Sequence, residues 1–383
     1  MREETRTPVI AGLVTAAVGF TSSFAVVLAG LAAVGASPAQ AASGLLALCV
    51  TQGISAILLA RRYRIPVTTA WSTPGAALLA STGAVAGGWR AAVGAFLIVG
   101  LLIVATAAFR PLADLVRAIP ASIAQAMLAG VLVPLCLVPV TATAAEPWLV
   151  GPVVLVWLVI MILAPRWAAP AALLTAVALA IAFAEQPLGG ALWPSVRWTM
   201  PAFSTEALVS IAVPLYLVTM AAQNVPGAAV LTGFGYVPPW RASLIVTGVG
   251  TVVGAPAGGH AINLAAISAA LSASPEAGRD PSRRWIAATT MGVAYLVIAP
   301  FAALLTAVVV AAPADLVAAA AGLALLATLA GSLRTALMGD DRLEPAVITF
   351  LVAASGVSLA GVGAAFWALA AGIIVHLALR LRR

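Results

Sequence analysis

Two short polar stretches interrupt otherwise apolar sequence, and their residue types are the ones best suited to chemistry. The first stretch contains Trp71, Ser72, Thr73, Pro74 and Gly75, and the second contains His260, Ala261 and Asn263. Hydroxyl, amide and backbone N–H groups donate hydrogen bonds to anions, and a tryptophan offers a flat apolar face. Together the two stretches predict a binding site for a small anion.

His260 is the candidate for carrying a proton. The other histidine, His376, lies near the end of the last apolar segment, and the acidic residues fall in loops or at segment ends, as Glu206 and Asp315 do. Desolvation favours the neutral imidazole, whereas a bound carboxylate favours its protonated form, so proton and anion uptake would be coupled. Two alternatives stay open: a neutral histidine satisfied by a backbone carbonyl, and a carboxylate that enters as the neutral acid.

Gln223 and Asn224 are adjacent amides near the end of a predicted span. Unpaired polar groups in hydrocarbon are costly, so both side chains need partners. They either cap a neighbouring helix or reach the anion site. The corresponding place in the first half of the chain is the polar run 21–23, which follows Phe20.

The composition requires these residues to be positioned by membrane helices. Of 383 residues, 63% are hydrophobic and 8% are charged, whereas a soluble domain carries about a quarter charged residues. A helix needs about 20 apolar residues to cross a bilayer. The chain therefore has room for fourteen short spans and for no separate soluble domain.

Proline and glycine residues divide the chain into these fourteen apolar segments. The first seven cover about 8–34, 38–60, 66–83, 87–109, 115–139, 147–164 and 168–186. The other seven cover about 204–230, 240–254, 257–273, 284–311, 313–336, 344–361 and 363–380. The predicted fold class is an all-α polytopic membrane protein.

The third and tenth segments are too rich in proline and glycine to be unbroken helices. Non-helical backbone at membrane depth survives only inside protein or beside a cavity. We expect each to be a short strand followed by a half-helix, starting near Pro74 and near Ala261. Two helix N-termini that face each other there would attract an anion without a buried arginine. The alternative is a pair of kinks packed between helices.

Charge sets the predicted orientation. All 19 basic residues are arginine, against 12 acidic residues, and the net charge is +7. With fourteen crossings, only Arg90 and Arg197 fall outside, so the positive-inside rule places both termini in the cytoplasm. The excess is thus explained by topology rather than by nucleic acid, and the chain offers no metal-ligand cluster and no cofactor motif. Cys49 and Cys136 lie mid-segment and are predicted to be packing residues.

An internal repeat is indicated by a sequence echo. The run 120–130 resembles the run 313–322, and each opens the fifth segment of its half. Because seven is odd, the second half must be inverted relative to the first. The sequence predicts a 7+7 inverted repeat with halves 1–200 and 201–383, an architecture common in secondary transporters.

Several motifs resemble the BenE-type benzoate:proton symporters. They are Trp71-Ser-Thr-Pro-Gly-Ala76, Gln223-Asn-Val-Pro-Gly227, His260-Ala-Ile-Asn-Leu-Ala265, Pro275-Glu-Ala277, Thr349-Phe-Leu-Val-Ala-Ala-Ser-Gly-Val-Ser358 and Ser37-Pro-Ala-Gln40. The resemblance covers essentially the whole chain. The family is similar in fold to uracil permeases and anion exchangers.

That resemblance implies a core domain at 1–110 and 204–311, which moves against a gate domain at 111–203 and 312–383. It also implies substrate between the third and tenth segments, and frequently a homodimer. Nucleobase carriers of this fold often have acids in the eighth and tenth segments. Here those segments contain Gln223, Asn224 and His260 instead, which suits an anionic substrate.

The resulting prediction is a transporter of the bacterial inner membrane that imports benzoate or a similar aromatic carboxylate with a proton. The backbone amides of Gly75 and Ala261 would hold the carboxylate, assisted by Thr73 and Asn263. Phe20 and Trp71 would pack the ring, and His260 would couple the proton. The alternatives are a nucleobase or other small-anion carrier and an anion channel. No catalytic signature indicates an enzyme.

Overall fold

The computed structural model describes residues 2–183, 193–338 and 343–381, and these residues are mostly helical. Within the described part, eight helices are long and apolar enough to cross a membrane, and three shorter apolar helices accompany them. The end of the segment predicted at 168–186 lies outside the described residues.

The first half of the chain contains nine helices and one short strand in its described part. In chain order they are α1 Arg2–Thr21, α2 Phe24–Ala33, α3 Pro38–Tyr63, β1 Thr69–Trp71, α4 Thr73–Thr82, α5 Gly88–Ala108, α6 Arg110–Ala118, α7 Ala121–Ala145, α8 Pro147–Leu163 and α9 Ala168–Ala182.

The second half of the chain contains eight helices and one short strand in its described part. Its elements are α10 Thr205–Gly233, α11 Trp240–Gly254, β2 Ile262–Leu264, α12 Ala266–Ala273, α13 Trp285–Ile298, α14 Ala302–Ala311, α15 Ala314–Met338, α16 Glu344–Ala354 and α17 Ala364–Arg380.

Two predicted boundaries were wrong because loops and a short helix intervene. The segment predicted at 115–139 is divided, since α6 forms a separate short helix and α7 begins only at Ala121. The segment predicted at 344–361 ends as a helix at Ala354. Beyond it the chain turns through left-handed backbone at Gly356, Ala360 and Gly361, with φ values of 63°, 53° and 75°, which no helix can contain.

The capping chemistry of α3 explains one of the sequence motifs. The Ser37 N–H donates to Gln40 Oε1 at 2.9 Å, and the Gln40 N–H donates to Ser37 Oγ at 3.4 Å. This reciprocal pair is a capping box, which satisfies helix N–H groups that lack intrahelical partners. Pro38 occupies the first helical position, where its missing N–H costs nothing.

β1 and β2 form a two-stranded antiparallel ribbon among the helices. Thr69 pairs with Leu264, Ala70 with Asn263 and Trp71 with Ile262. Each strand leads into a short helix, so the strand-plus-half-helix form predicted for the third and tenth segments is present. α4 begins at Thr73, next to the predicted Pro74.

The start predicted for the second half-helix, near Ala261, was wrong. α12 begins at Ala266, because Ile262–Leu264 are held extended by pairing with β1. Ala261 lies just before the strand, and its carbonyl accepts the N–H of Ser72 at 2.9 Å.

Side chains from three helices satisfy the outer edges of the ribbon. The N–H groups of Trp71, Ile262 and Leu264 donate to Gln52 Oε1 of α3 at 2.6 Å, Thr251 Oγ1 of α11 at 3.1 Å and Asn224 Oδ1 of α10 at 2.9 Å. An unpaired strand edge is not tolerated where water cannot reach it. These bonds allow a strand ribbon to exist in the centre of a helical membrane protein.

Glycines allow two pairs of helices to pack with their backbones in close approach. A Cβ on Gly53 of α3 would lie 2.8 Å from the carbonyl oxygen of Gly292 in α13, and one on Gly292 would lie 2.6 Å from that of Gly53. Gly100 of α5 and Gly248 of α11 face each other in the same way, at 2.9 and 3.0 Å. Such small-residue contacts are typical of membrane helix packing.

Candidate functional site

Four aromatic side chains form a buried cluster beside the ribbon. Trp71 lies edge-on to Phe20 and to Tyr295, with ring centroids 5.7 Å apart in both pairs, and Phe20 stacks on Phe24 at 5.0 Å. The indole Nε1–H of Trp71 donates to Ser23 Oγ at 2.9 Å. Ser23 lies at the break between α1 and α2, so this break fixes the orientation of the indole. The structure thus brings together the two predicted ring contacts, Phe20 and Trp71.

The N-terminus of α4 is capped by the protein itself. Ser72 Oγ accepts the N–H of Gly75 at 3.1 Å and the hydroxyl of Thr219 at 3.1 Å. Leu215 of α10 lies against Gly75, in the space that a Cβ would occupy. Pro74 is buried and Thr73 is half-buried. The Gly75 amide, predicted to hold the carboxylate, therefore already has an acceptor in this structure.

The N-terminus of α12 has no such cap. Its N-cap residue is Ala265, which has no side-chain acceptor. Within the described part of the chain, the N–H groups of Ala266, Ile267 and Ser268 have no hydrogen-bond acceptor. The first-turn amides and the helix dipole leave partial positive charge at this end. Of the two half-helices, α12 is the one whose first-turn amides have no acceptor among the described residues.

His260 is buried directly before the ribbon. Its side chain is 1% exposed and lies edge-on to Phe96 of α5, with ring centroids 6.3 Å apart. Neither ring nitrogen has a hydrogen-bond partner among the described residues. The Ala261 backbone lies close to the ring, so the predicted alternative, an imidazole satisfied by a backbone carbonyl, stays open. A buried imidazole without a partner is an uncommon group that invites a functional explanation.

Asn263 and Gln52 each have one amide atom without a partner. Asn263 Nδ2 donates to the carbonyl of Leu264 at 2.7 Å, but its Oδ1 has no donor among the described residues. Gln52 accepts the Trp71 N–H through Oε1, whereas its Nε2 has no acceptor in the same part of the chain. Both side chains are fully buried. The ribbon is therefore flanked by polar atoms with unused hydrogen-bonding capacity.

Asn224 and Gln223 differ in their surroundings. Asn224 is fully buried and holds β2 through Leu264, and its Nδ2 also points at the sulfur of Met220 at 3.3 Å. Gln223 is half-buried. Both belong to the π-helical turn Met220–Asn224 within α10, and such turns frequently mark functional sites. Asn224 thus bonds to a strand rather than to the end of a neighbouring helix.

Two residues of this region, Tyr295 and Gln52, were not identified as candidates from the sequence. Each is a polar side chain inside a long apolar segment. That signal was available, because a hydroxyl or amide at membrane depth needs a partner. Within the described residues, no group of three or more His, Cys, Asp or Glu side chains is arranged to hold a metal ion.

Many apolar helices around a central broken pair define the class of integral membrane proteins. The model of the family "BenE: Benzoate membrane transport protein" matches residues 3–378. The chain belongs to this family, which is a family of transporters and not of enzymes.

Two curated relatives support this assignment. The chain is 38% identical over 374 residues to "Inner membrane protein YdcO" of Escherichia coli (strain K12), covering 97% of this chain and 95% of that protein. It is 31% identical over 333 residues to "Benzoate membrane transport protein" of Acinetobacter baylyi (strain ATCC 33305 / BD413 / ADP1), covering 86% and 84%.

A solved structure shares the fold. The transmembrane domain of the cyanobacterium bicarbonate transporter BicA superposes with a TM-score of 0.61 at 16% sequence identity, covering 97% of this chain and 98% of that chain.

Proposed function

We propose that this protein imports benzoate or a similar aromatic carboxylate together with a proton, across the inner membrane of a bacterium. The carrying observation is the position of the aromatic cluster beside an uncapped helix N-terminus, in a member of the benzoate transport family. The ring of such a substrate needs an apolar aromatic surface, and its carboxylate needs donors without a competing negative charge.

The carboxylate is placed at the N-terminus of α12 rather than between the Gly75 and Ala261 amides. Ser72 occupies the Gly75 N–H, and Ala261 precedes a strand instead of a helix. Phe20 and Trp71 contact the ring in this proposal, and Thr73 and Asn263 supply further polar contacts at the two half-helices.

We propose a 7+7 inverted repeat as the basis of alternating access. The glycine crossings join the second segment to the eleventh and the fourth to the ninth. In a 7+7 repeat the second segment corresponds to the ninth, and the fourth corresponds to the eleventh. The two glycine crossings are therefore equivalent positions of the two repeats. Gln52 in the second segment and Thr251 in the ninth also play the same part, since each accepts one N–H of the adjoining strand. In this proposal the core, 1–110 and 204–311, moves against the gate, 111–203 and 312–383.

His260 is proposed to couple the proton. It is buried, lacks partners among the described residues and directly precedes the residue that pairs with Ser72. A carboxylate bound nearby would stabilise its charged form. Both termini lie in the cytoplasm in this proposal, as the distribution of arginines favours.

Uptake into proteoliposomes tests this function. Radiolabelled benzoate should accumulate above equilibrium when an inward proton gradient is imposed, and a protonophore should abolish the accumulation. His260→Gln should retain benzoate exchange down its own gradient and lose the pH-driven accumulation. Unchanged pH dependence in this variant would refute the coupling role.

The same assay separates the alternatives. Competition by uracil, with no accumulation of benzoate, would identify a nucleobase carrier on this fold. Benzoate flux only down its own gradient, without saturation, would identify a channel.

A further inference from the structure

Two buried hydroxyl groups converge beside the aromatic cluster. Tyr295 of α13 and Ser268 of α12 are 2% and 5% exposed. Both oxygens approach Gly19 of α1, since a Cβ built on Gly19 would lie 2.8 Å from the Tyr295 hydroxyl and 3.5 Å from Ser268 Oγ. Three different helices therefore meet at one polar spot.

Neither hydroxyl makes a hydrogen bond within the described part of the chain, and neither oxygen is among the fully enclosed polar atoms that lack a partner there. Both oxygens therefore keep some accessible surface, which water or a ligand can reach. Tyr216, which is also buried, shows the ordinary arrangement, with its hydroxyl bonded to that of Thr106. The hydrogen-bonding capacity of Tyr295 and Ser268 is therefore available to a ligand.

The surroundings specify the chemistry of that ligand. Ser268 belongs to the first turn of α12, whose amides also lack acceptors among the described residues. The available groups are thus two hydroxyls and a set of N–H groups, all of which can donate. The membrane-buried parts of the three helices that meet here contain no acidic residue. The nearest acids in sequence are at the start of α1 and in the connection between α12 and α13. A cluster of donors at a helix N-terminus is suited to a carboxylate.

We propose that the hydroxyls of Tyr295 and Ser268, together with the first-turn amides of α12, form the carboxylate subsite of the substrate. This inference rests on the proposed function and assigns the polar end of that same site. The Tyr295 ring lies 5.7 Å from the indole of Trp71 and 6.3 Å from Phe20. One tyrosine therefore contacts the substrate ring with its own ring and donates to the carboxylate with its hydroxyl.

Gly19 has a defined part in this subsite. Any side chain at this position would press on the Tyr295 hydroxyl. The Gly19 carbonyl also accepts the hydroxyl of Ser23, the residue that holds the Trp71 indole. The glycine thus leaves space for the two donors and fixes the neighbouring ring contact.

Benzoate binding to purified Tyr295→Phe and Ser268→Ala tests the inference. Tyr295→Phe removes one oxygen atom and keeps the aromatic packing. Isothermal titration should show the Kd for benzoate raised about tenfold or more by Tyr295→Phe, as expected for loss of a hydrogen bond to a charged group. Ser268→Ala should raise it in the same direction. In uptake, KM should rise with Kd, whereas Tyr216→Phe is the matched control and should leave Kd unchanged.

The outcomes separate this inference from the proposed function. Wild-type protein that binds and accumulates benzoate, with Kd unchanged in both variants, would overturn the subsite and leave the function standing. Wild-type protein that binds no benzoate would overturn both. A rise in Kd in Tyr216→Phe equal to that in Tyr295→Phe would show a general effect on the fold and would also overturn the subsite.

Discussion

Asn224 and Gln223 are neighbours in sequence with unequal roles in the structure. Asn224 accepts the N–H of Leu264 at 2.9 Å and is fully buried, while Gln223 is half-buried in the same π-helical turn. The difference between these two amides therefore comes from the faces of α10 on which they lie. Asn224 holds the ribbon, and Gln223 is the more exposed of the two amides.

Leucine substitutions distinguish these two roles. Asn224→Leu leaves the Leu264 N–H without an acceptor, and an orphaned buried donor costs about 1–3 kcal/mol. We expect a lower thermal unfolding temperature in detergent for Asn224→Leu and no comparable change for Gln223→Leu. Equal unfolding temperatures for the two variants would contradict the structural role of Asn224.

At this scale the sequence predicts the residue types of the site better than their partners. Phe20 and Trp71 were expected to meet a common ring, and the structure places their rings 5.7 Å apart. Gly75 was expected to be free for a ligand, but Ser72 three residues earlier caps it. Tyr295 was not singled out, although a hydroxyl inside an apolar segment was a signal, and its proximity to Trp71 could not be predicted because it arises from helix packing across more than 200 residues of chain.

Among the elements, the glycine crossings set the distance between helices. α3 contacts α13 through Gly53 and Gly292, and α5 contacts α11 through Gly100 and Gly248. A Cβ at any of these four glycines would lie within 3.0 Å of a carbonyl oxygen on the facing helix. A side chain there would fit only if a whole helix moved. The crossing distances are thus fixed by the backbone and not by adaptable side chains.

Gly292→Ala should therefore destabilise the protein. Its new Cβ would lie 2.6 Å from the carbonyl oxygen of Gly53, and overpacking of this kind costs about 1–3 kcal/mol. Gly151 in α8 has open space around it, so Gly151→Ala should be neutral or stabilising by up to about 1 kcal/mol. Unfolding by heat or by denaturing detergent measures the difference. A Gly292→Ala variant as stable as Gly151→Ala would show that the crossing is loose.

The elements also show the limits of local prediction. The broken third and tenth segments were predictable, because proline and glycine exclude a continuous helix. The start of α12 was not, since Ile262–Leu264 become a strand only when β1 is alongside. The end of α16 at Ala354 was missed because an apolar composition continues through the following turn.

At the scale of the whole molecule, an ion pair among the described residues links the proposed gate to the proposed core. Arg166, between α8 and α9, contacts Glu276, just after α12, with the nitrogen and oxygen 3.0 Å apart. The side chains are 54% and 73% exposed, so water and salt screen the pair. Motion of core against gate would break and re-form this contact in each transport cycle.

Charge reversal tests whether the ion pair influences transport. Exposed pairs contribute about 0.2–1 kcal/mol, so Arg166→Glu should change the turnover rate by at most about fivefold. The double variant Arg166→Glu with Glu276→Arg should restore the wild-type rate, and high salt should abolish all differences. The pair Asp280–Arg283, 3.7 Å apart within one loop, gives the matched control. Failure of the double variant to recover would show that the pair does not couple the two parts.

The ribbon has a consequence for the biogenesis of the protein. β1 is synthesised about half a chain before β2, and each strand is the other's partner. Until the tenth segment has been synthesised, the third segment has no strand with which to pair. Pairing between residues so distant in sequence is slow. Formation of the ribbon therefore has to await the synthesis of Ile262–Leu264.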